Sequence, residues 1–256
     1  MKKTIITLLA LAGMATADEV FNLSTAGTPD KSDSVSVTNQ GVQCSASNWK
    51  TKGYAGYSFG ESITLSAPED VLDFSFTATR PSLIHDKENV EKSLTFLTFA
   101  LTGRSGDNTQ AIVIGHGNSN DYEATAAELQ IGISDSVGEH GYTFEGSKAP
   151  WTVSASSELE GGMPFGTTTV SGQIAWDATD NLFTLTLNSS ALTNNATLKF
   201  DLGKSVTVDG VVLSVYGVDT PTITAASVSA TIVPEPTTAT LSLLALAGLA
   251  ARRRRR

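Results

Sequence analysis

Apolar and polar side chains alternate with a period of two through much of residues 70 to 232, and Gly, Asn, Asp and Ser interrupt the pattern at short intervals. Leu72, Phe74 and Phe76 alternate with Asp73, Ser75 and Thr77, which predicts a strand buried on one face. Residues 94–101, LTFLTFAL, are apolar on both faces and predict a central core strand. A strand at 111–114 is expected after a turn over 103–108. Another is expected from 129, where Leu129, Ile131 and Ile133 alternate with Gln130, Gly132 and Ser134. Val170, Ile174 and Trp176 share one face of a further strand, and the polar run 177–181 reads as the turn that returns the chain into 182–187. Within 206–213 the Asp209-Gly210 pair predicts a tight type I′ hairpin, because both residues tolerate the positive φ values such a turn needs. A last β-rich stretch spans 223–232. Helical material is confined to single turns near 86–92 and 124–129.

About a dozen short strands with almost no helix predict one all-β sandwich domain over residues 18–232, with no internal repeat and no linker inside it. Those 215 residues can bury a core without cross-links. Cys44 is the only cysteine, so an intramolecular disulfide is excluded, and a small buried thiol is the expected role.

The two ends follow different rules. Lys2 and Lys3 precede an apolar run over 5–11, and Ala15-Thr16-Ala17 supplies the small residues that signal peptidase requires. Residues 1–17 are therefore expected to be a signal peptide, cleaved between Ala17 and Asp18. At the other end Val233, Pro234, Glu235 and Pro236 precede an apolar stretch, which closes on Arg252, Arg253, Arg254, Arg255 and Arg256. The prolines force extended backbone and so predict a protease-accessible segment. Residues 241–251 are Leu, Ala, Ser and Gly only and helix-competent; the stretch 237–251 supplies fifteen residues, against about 20 for a full membrane span, and the arginines favour the cytoplasmic side. A short hydrophobic helix acting as a transient inner-membrane anchor is the expectation. These three ordered parts, over residues 233–256, resemble the PEP-CTERM sorting signal of Gram-negative bacteria. The resemblance implies an exosortase-type membrane protease as partner, cleavage near Pro234 to Pro236, and delivery to the cell surface, outer envelope or extracellular matrix.

Setting both signals aside changes the charge balance. The whole chain carries a formal net charge of −9, but residues 18–236, up to the end of Pro-Glu-Pro, keep ten Lys and Arg against 26 Asp and Glu, a net of −16. Such a surface repels phosphate backbones, so nucleic acid is not an expected partner. It is compatible with extracellular calcium. The loop Gly115-His116-Gly117-Asn118-Ser119-Asn120-Asp121 offers hard oxygen ligands from Asn118, Asn120 and Asp121, although the same residues serve ordinary turns. No other cofactor is expected, and no metal site is established. His85, His116 and His140 lie far apart, without the spacing of a zinc helix.

The order of strands resembles the concanavalin A-like lectin and glucanase superfamily. The likeness is carried by 72–78, 94–101, the Leu-Gln-Ile-Gly-Ile strand from Leu129, and Ile174-Ala175-Trp176-Asp177-Ala178 followed by 182–188. It implies a jelly-roll antiparallel sandwich with loops that often bind glycans. Trp49, Tyr54, Tyr57 and Trp151 are the candidates for stacking on a sugar ring, with core packing as the alternative role of each. The glucanases of that architecture carry a Glu-x-Asp-x-x-Glu strand, which this sequence lacks. Its close acidic pairs are Glu69-Asp70, Asp86/Glu88, Asp121/Glu123, Glu158/Glu160 and Asp177/Asp180, most of them in predicted turns. Of these, Glu158 and Glu160 have same-face spacing but run into Gly161-Gly162. No catalytic residue is assigned. The leading expectation is a non-catalytic, lectin-like body associated with extracellular polysaccharide. A structural or adhesion matrix protein without a glycan site is the first alternative, and a glycoside hydrolase is the second.

Overall fold

Alternation of this kind can bury one face of a strand only against a second apolar face. The computed structural model of the chain meets that need with two antiparallel sheets. It describes residues 17–46, 51–80, 96–105, 108–116, 129–134, 166–177, 179–180, 182–189, 196–200, 205–216 and 222–233. Fourteen strands occur among the described residues, and no helix. They are β1 (Ala17–Asn22), β2 (Asp30–Lys31), β3 (Val35–Thr38), β4 (Gly41–Cys44), β5 (Lys52–Leu65), β6 (Val71–Arg80) and β7 (Phe96–Ser105), then β8 (Asn108–His116), β9 (Leu129–Ser134), β10 (Gly166–Asp177), β11 (Leu182–Ser189), β12 (Ala196–Phe200), β13 (Val206–Tyr216) and β14 (Thr222–Thr231). An eight-stranded sheet runs β12-β11-β10-β6-β14-β4-β3, with β1 also paired to β14. The second sheet has six strands in the order β2-β5-β13-β7-β8-β9.

The inward faces are those the alternation marks. Leu72, Phe74, Phe76 and Ala78 of β6 are buried, as are Val170 and Ile174 of β10 and Phe183, Leu185 and Leu187 of β11. From the other sheet Leu97, Phe99 and Leu101 of β7 and Val211, Leu213 and Val215 of β13 join the same apolar cluster. Phe99 stacks on Phe74 at 5.5 Å and on Phe76 at 5.3 Å between ring centroids, so the two sheets meet face to face as a sandwich. Trp176 closes one end, edge-on to Phe183 at 4.9 Å. Cys44 is buried, with its Sγ 3.4 Å from the Thr51 carbonyl oxygen, as expected for a small inert thiol.

The Asp209-Gly210 expectation is corrected. No hairpin forms there. β13 continues through both residues as a central strand, paired to β5 on one side and β7 on the other. Against β7 the chain advances from Val208 to Gly210 while its partner advances only from Gly103 to Thr102, so Asp209 is the extra residue of a β-bulge instead of part of a turn; against β5 the register also shifts, but there the extra residues, 59–62, belong to β5. Thr102 donates its hydroxyl hydrogen to the Asp209 carboxylate at 3.0 Å. Gly210 is required because a Cβ there would lie 2.6 Å from the Tyr57 carbonyl oxygen. A tight turn does occur between β3 and β4, where Thr38 pairs with Gly41 across Asn39-Gln40. Gly41 has φ of 117°, a backbone conformation that an L side chain disfavours. The expected turn over 103–108 is shorter than the pattern suggested, since β7 reaches Ser105 and β8 starts at Asn108. The helical turn expected near 86–92 lies outside the described residues, as does the one near 124–129 except for Leu129, which is the first residue of β9 and extended.

Because Phe76 is fully buried and stacked on Phe99, Phe76→Ala is expected to lower unfolding free energy by about 3–5 kcal/mol. A urea denaturation midpoint left unmoved by that substitution would contradict the assigned core.

Candidate functional site

Both sheets have an outward face, and the two differ in chemistry. On the eight-stranded sheet the outward positions are short polar residues in cross-strand rows. Ser229, Asp73, Gln173 and Thr186 form one row, and Ser227, Ser75, Ser171 and Asn188 the next. Neighbouring side chains satisfy one another. The hydroxyls of Thr77 and Thr169 lie 2.9 Å apart, as do those of Thr79 and Thr167, and the Gln173 amide donates to Asp73 at 2.9 Å. Among the described residues no aromatic ring stands on these two rows, which offer hydrogen bonds.

The six-stranded sheet places an aromatic ring outward at its edge. Tyr54 lies on β5 between Gly53 and Ala55, with the parity opposite to the buried Ala55, so its ring points away from the core and is half-buried. On the adjoining edge strand β2, Asp30 pairs with Gly56 and is the diagonal neighbour of Tyr54. The Tyr54 hydroxyl lies 3.5 Å from the Asp30 carboxylate, a long contact that leaves most of the carboxylate's accepting capacity free. Ser32 fixes the backbone between them. Its N–H donates to the Tyr54 carbonyl oxygen at 3.0 Å, and its hydroxyl oxygen accepts from the Tyr54 N–H at 3.2 Å. Lys31 donates to the Val35 carbonyl oxygen at 2.9 Å and so braces the next turn. Along the same cross-strand row Ser214 and Thr98 are fully buried, so Tyr54 marks the limit of the exposed part of this face. An aromatic face beside a carboxylate can stack an apolar ring surface and accept hydrogen bonds from its substituents.

The other expected aromatics fare differently. Tyr57 points inward with 7% exposure, and its ring packs on Phe21 at 5.2 Å, so both faces belong to the core. Phe59 packs near the same Phe21 ring at 6.2 Å. Trp49, Trp151, Asn118, Asn120 and Asp121 lie outside the described residues, as do Glu158 and Glu160, Pro234 to Pro236, and Arg252 to Arg256. Among the described residues no group of three or more His, Cys, Asp or Glu side chains is arranged to hold a metal ion. No described helix is long and apolar enough to cross a membrane, and residues 237–251 are not among those described.

Two of the close acidic pairs fall within the described residues, and the structure gives each a structural employment. Asp177 accepts the Thr179 N–H at 2.9 Å, an Asx turn joining β10 to β11, and Lys199 of β12 bridges Asp177 and Asp180. The Thr179 N–H, then the Lys199 ammonium, hold the Asp177 carboxyl below the usual aspartate range. A general acid for glycoside cleavage needs the opposite shift. In the second pair Glu69 is exposed, whereas Asp70 is 1% exposed and accepts three backbone N–H groups.

Sequence reasoning missed Asp30 as the companion of Tyr54, because 24 residues separate them and only the β2–β5 pairing joins them. It also read Asp70 as half of an acidic pair. The Ser66-Ala67-Pro68-Glu69-Asp70 run carries a turn signal, but the third partner, Val233, is 163 residues away.

No family model matches the chain, and no curated protein sequence matches it. Among solved structures it is similar to the lectin UEA-II complexed with galactose, with TM-score 0.45 and 14% identity over 85% of this chain and 100% of that one. It is similar to peanut lectin with a 9mer peptide, with TM-score 0.46 and 12% identity over 86% and 100%. A lectin from Bauhinia forficata in complex with GalNAc gives TM-score 0.43 and 13% identity over 86% and 100%.

The Tyr57 hydroxyl is buried with no hydrogen-bond partner among the described residues, and burial raises its phenol above the ordinary value of 10.0. Unfolded Tyr57 ionises first as pH rises, so stability is retained below about pH 10 and lost above it. Tyr57→Phe is expected to leave neutral-pH stability unchanged or raise it by about 1 kcal/mol, and to flatten the decline between pH 9 and 11. Parallel denaturation series at those pH values check both outcomes.

Proposed function

We propose that the chain is an exported envelope or matrix protein whose body, a jelly-roll of the concanavalin A-like type, associates with extracellular polysaccharide without catalysing its cleavage. Signal peptidase removes residues 1–17, and an exosortase-type protease cleaves near Pro234 to Pro236 after transient anchoring by 237–251. The observation that carries the binding half is the outward Tyr54 ring beside the Asp30 carboxylate, on a backbone fixed by Ser32. A sugar presents an apolar C–H face and a rim of hydroxyls, and that pair is complementary to both. The absence of catalysis is supported by the lowered Asp177 carboxyl and by the structural employment of Asp70. The sorting half is supported by the order of the C-terminal parts: Val-Pro-Glu-Pro, apolar run, arginine cluster.

The polar rows on the eight-stranded sheet favour a second reading, adhesion to a hydrated matrix through many weak hydrogen bonds without a small-ligand site. One experiment separates the two. The mature chain should be retained saturably on immobilised bacterial polysaccharides, assayed with and without calcium, and Tyr54→Ala should weaken retention at least tenfold. Unaltered retention by Tyr54→Ala would favour adhesion, and no retention on any polysaccharide would overturn the binding proposal. For sorting, Pro234→Ala with Pro236→Ala is expected to leave an unprocessed, membrane-associated chain on cell fractionation. Unchanged processing and location would refute the sorting role.

A further inference from the structure

Asp70 ties together two places that the sequence keeps far apart. Its Oδ2 accepts the N–H groups of Ser66 and Ala67, both at 2.8 Å, within the turn between β5 and β6. Its Oδ1 accepts the N–H of Val233 at 3.0 Å, two residues beyond the end of β14. The side chain is 1% exposed, so these charge-assisted bonds are shielded from water. The next residue is Pro234, which has no N–H. Val233 therefore carries the last backbone donor that the chain can offer before Pro-Glu-Pro.

β14 itself is held up to the same point. Thr231 pairs with Val71 on one side, and on the other Ala230 pairs with Asp18 of β1, the first residue of the expected mature chain. Among the described residues the start of β1 pairs with no strand but β14, so its anchorage depends on β14 staying in place. The first and last strands of the body thus end side by side, at one end of the eight-stranded sheet. A protease must draw several residues on each side of the scissile bond into an extended conformation. Residues up to Thr231 are occupied in the sheet, and Val233 is occupied by Asp70.

We propose that Asp70 is a positioning residue for C-terminal processing: by holding the Val233 backbone it fixes the exit of the tail and confines cleavage to the chain beyond Val233. This rests on the reading of residues 233–256 as a sorting signal. The clamp itself can be tested without that reading.

In the first arm, the purified full chain is treated briefly with a broad-specificity protease, and the C-terminal boundary of the protected body is read by intact mass. The native protein should end at or beyond Val233. Asp70→Ala should yield boundaries inside β14, with the rate of cutting there raised at least tenfold. Val233→Pro removes the donor and leaves the 66–70 turn intact, and the extended backbone it imposes on Ile232 suits the end of a strand; it should give the same upstream boundaries while the global thermal midpoint stays within the error of the native value. If Asp70→Ala proves unable to fold, Val233→Pro decides. In the second arm, Asp70→Ala is expressed in a processing-competent host, where released bodies should carry heterogeneous C-termini. Unchanged boundaries in the protease arm overturn the clamp whatever the sorting result. Shifted boundaries there, with uniform native C-termini in the host, overturn its role in processing. Failure of the Pro234 and Pro236 variants to alter sorting would instead count against the sorting reading and leave the protease result standing.

Discussion

Phe99 of β7 lies against both Phe74 and Phe76 of β6, and this three-ring contact joins the two sheets into one apolar interior. Neither sheet can stand alone, since each presents a full apolar face that only the other covers. Everything else in the molecule is arranged around that contact. β6 is flanked by β10 and β14, and β7 by β13 and β8, so the stacked rings sit on strands paired along both edges. The outward faces are consequently rigid, and short side chains on them keep fixed spacings, as the paired threonine hydroxyls of β6 and β10 illustrate. Tyr54 and Asp30 inherit their placement from the same frame through β5, which is held by β13.

The sheet margins are managed by brevity and by polar contacts. Among the described strands, those that end the two sheets, β2, β3, β12 and β9, have two, four, five and six residues, which limits the unpaired backbone they present. At the β12 margin Lys199 gathers Asp177 and Asp180, binding the edge strand to the turn before β11. At the end where the body begins and finishes, a single buried carboxylate satisfies three N–H groups, a demand that the ladder hydrogen bonds cannot meet once β14 has ended. At these margins polar side chains work where strand pairing stops.

Legibility in the sequence followed the strength of alternation. β6, β7, β10, β11 and β14 were evident because each buries a regular set of apolar residues against the partner sheet. The fourteen-residue β5 was not evident, since Gly53, Gly56 and Gly60 with Glu61-Ser62 interrupt its pattern. Its extended state comes from pairing with β13 and β2 on opposite edges. Asp209-Gly210 shows the opposite failure. Its local preference suits a bulge as well as a turn, and pairing of β13 along both edges left only the bulge, which is formed against β7. The candidate aromatics were visible as residue types, but which way Tyr54 and Tyr57 point depends on register, and a one-residue shift would exchange them.

By itself the sequence determined the class of fold, the faces that would be buried, the acidic balance, and the order of motifs at the two ends. Each of these is written in residues close together along the chain, where periodicity and composition act. Tertiary structure alone decided that Asp30 stands beside Tyr54, that Tyr57 belongs to the core, that Asp209-Gly210 does not turn, and that Asp70 holds Val233. These depend on pairings between residues 24 to 163 positions apart, whose partners are chosen by how the whole apolar surface closes and not by any local preference.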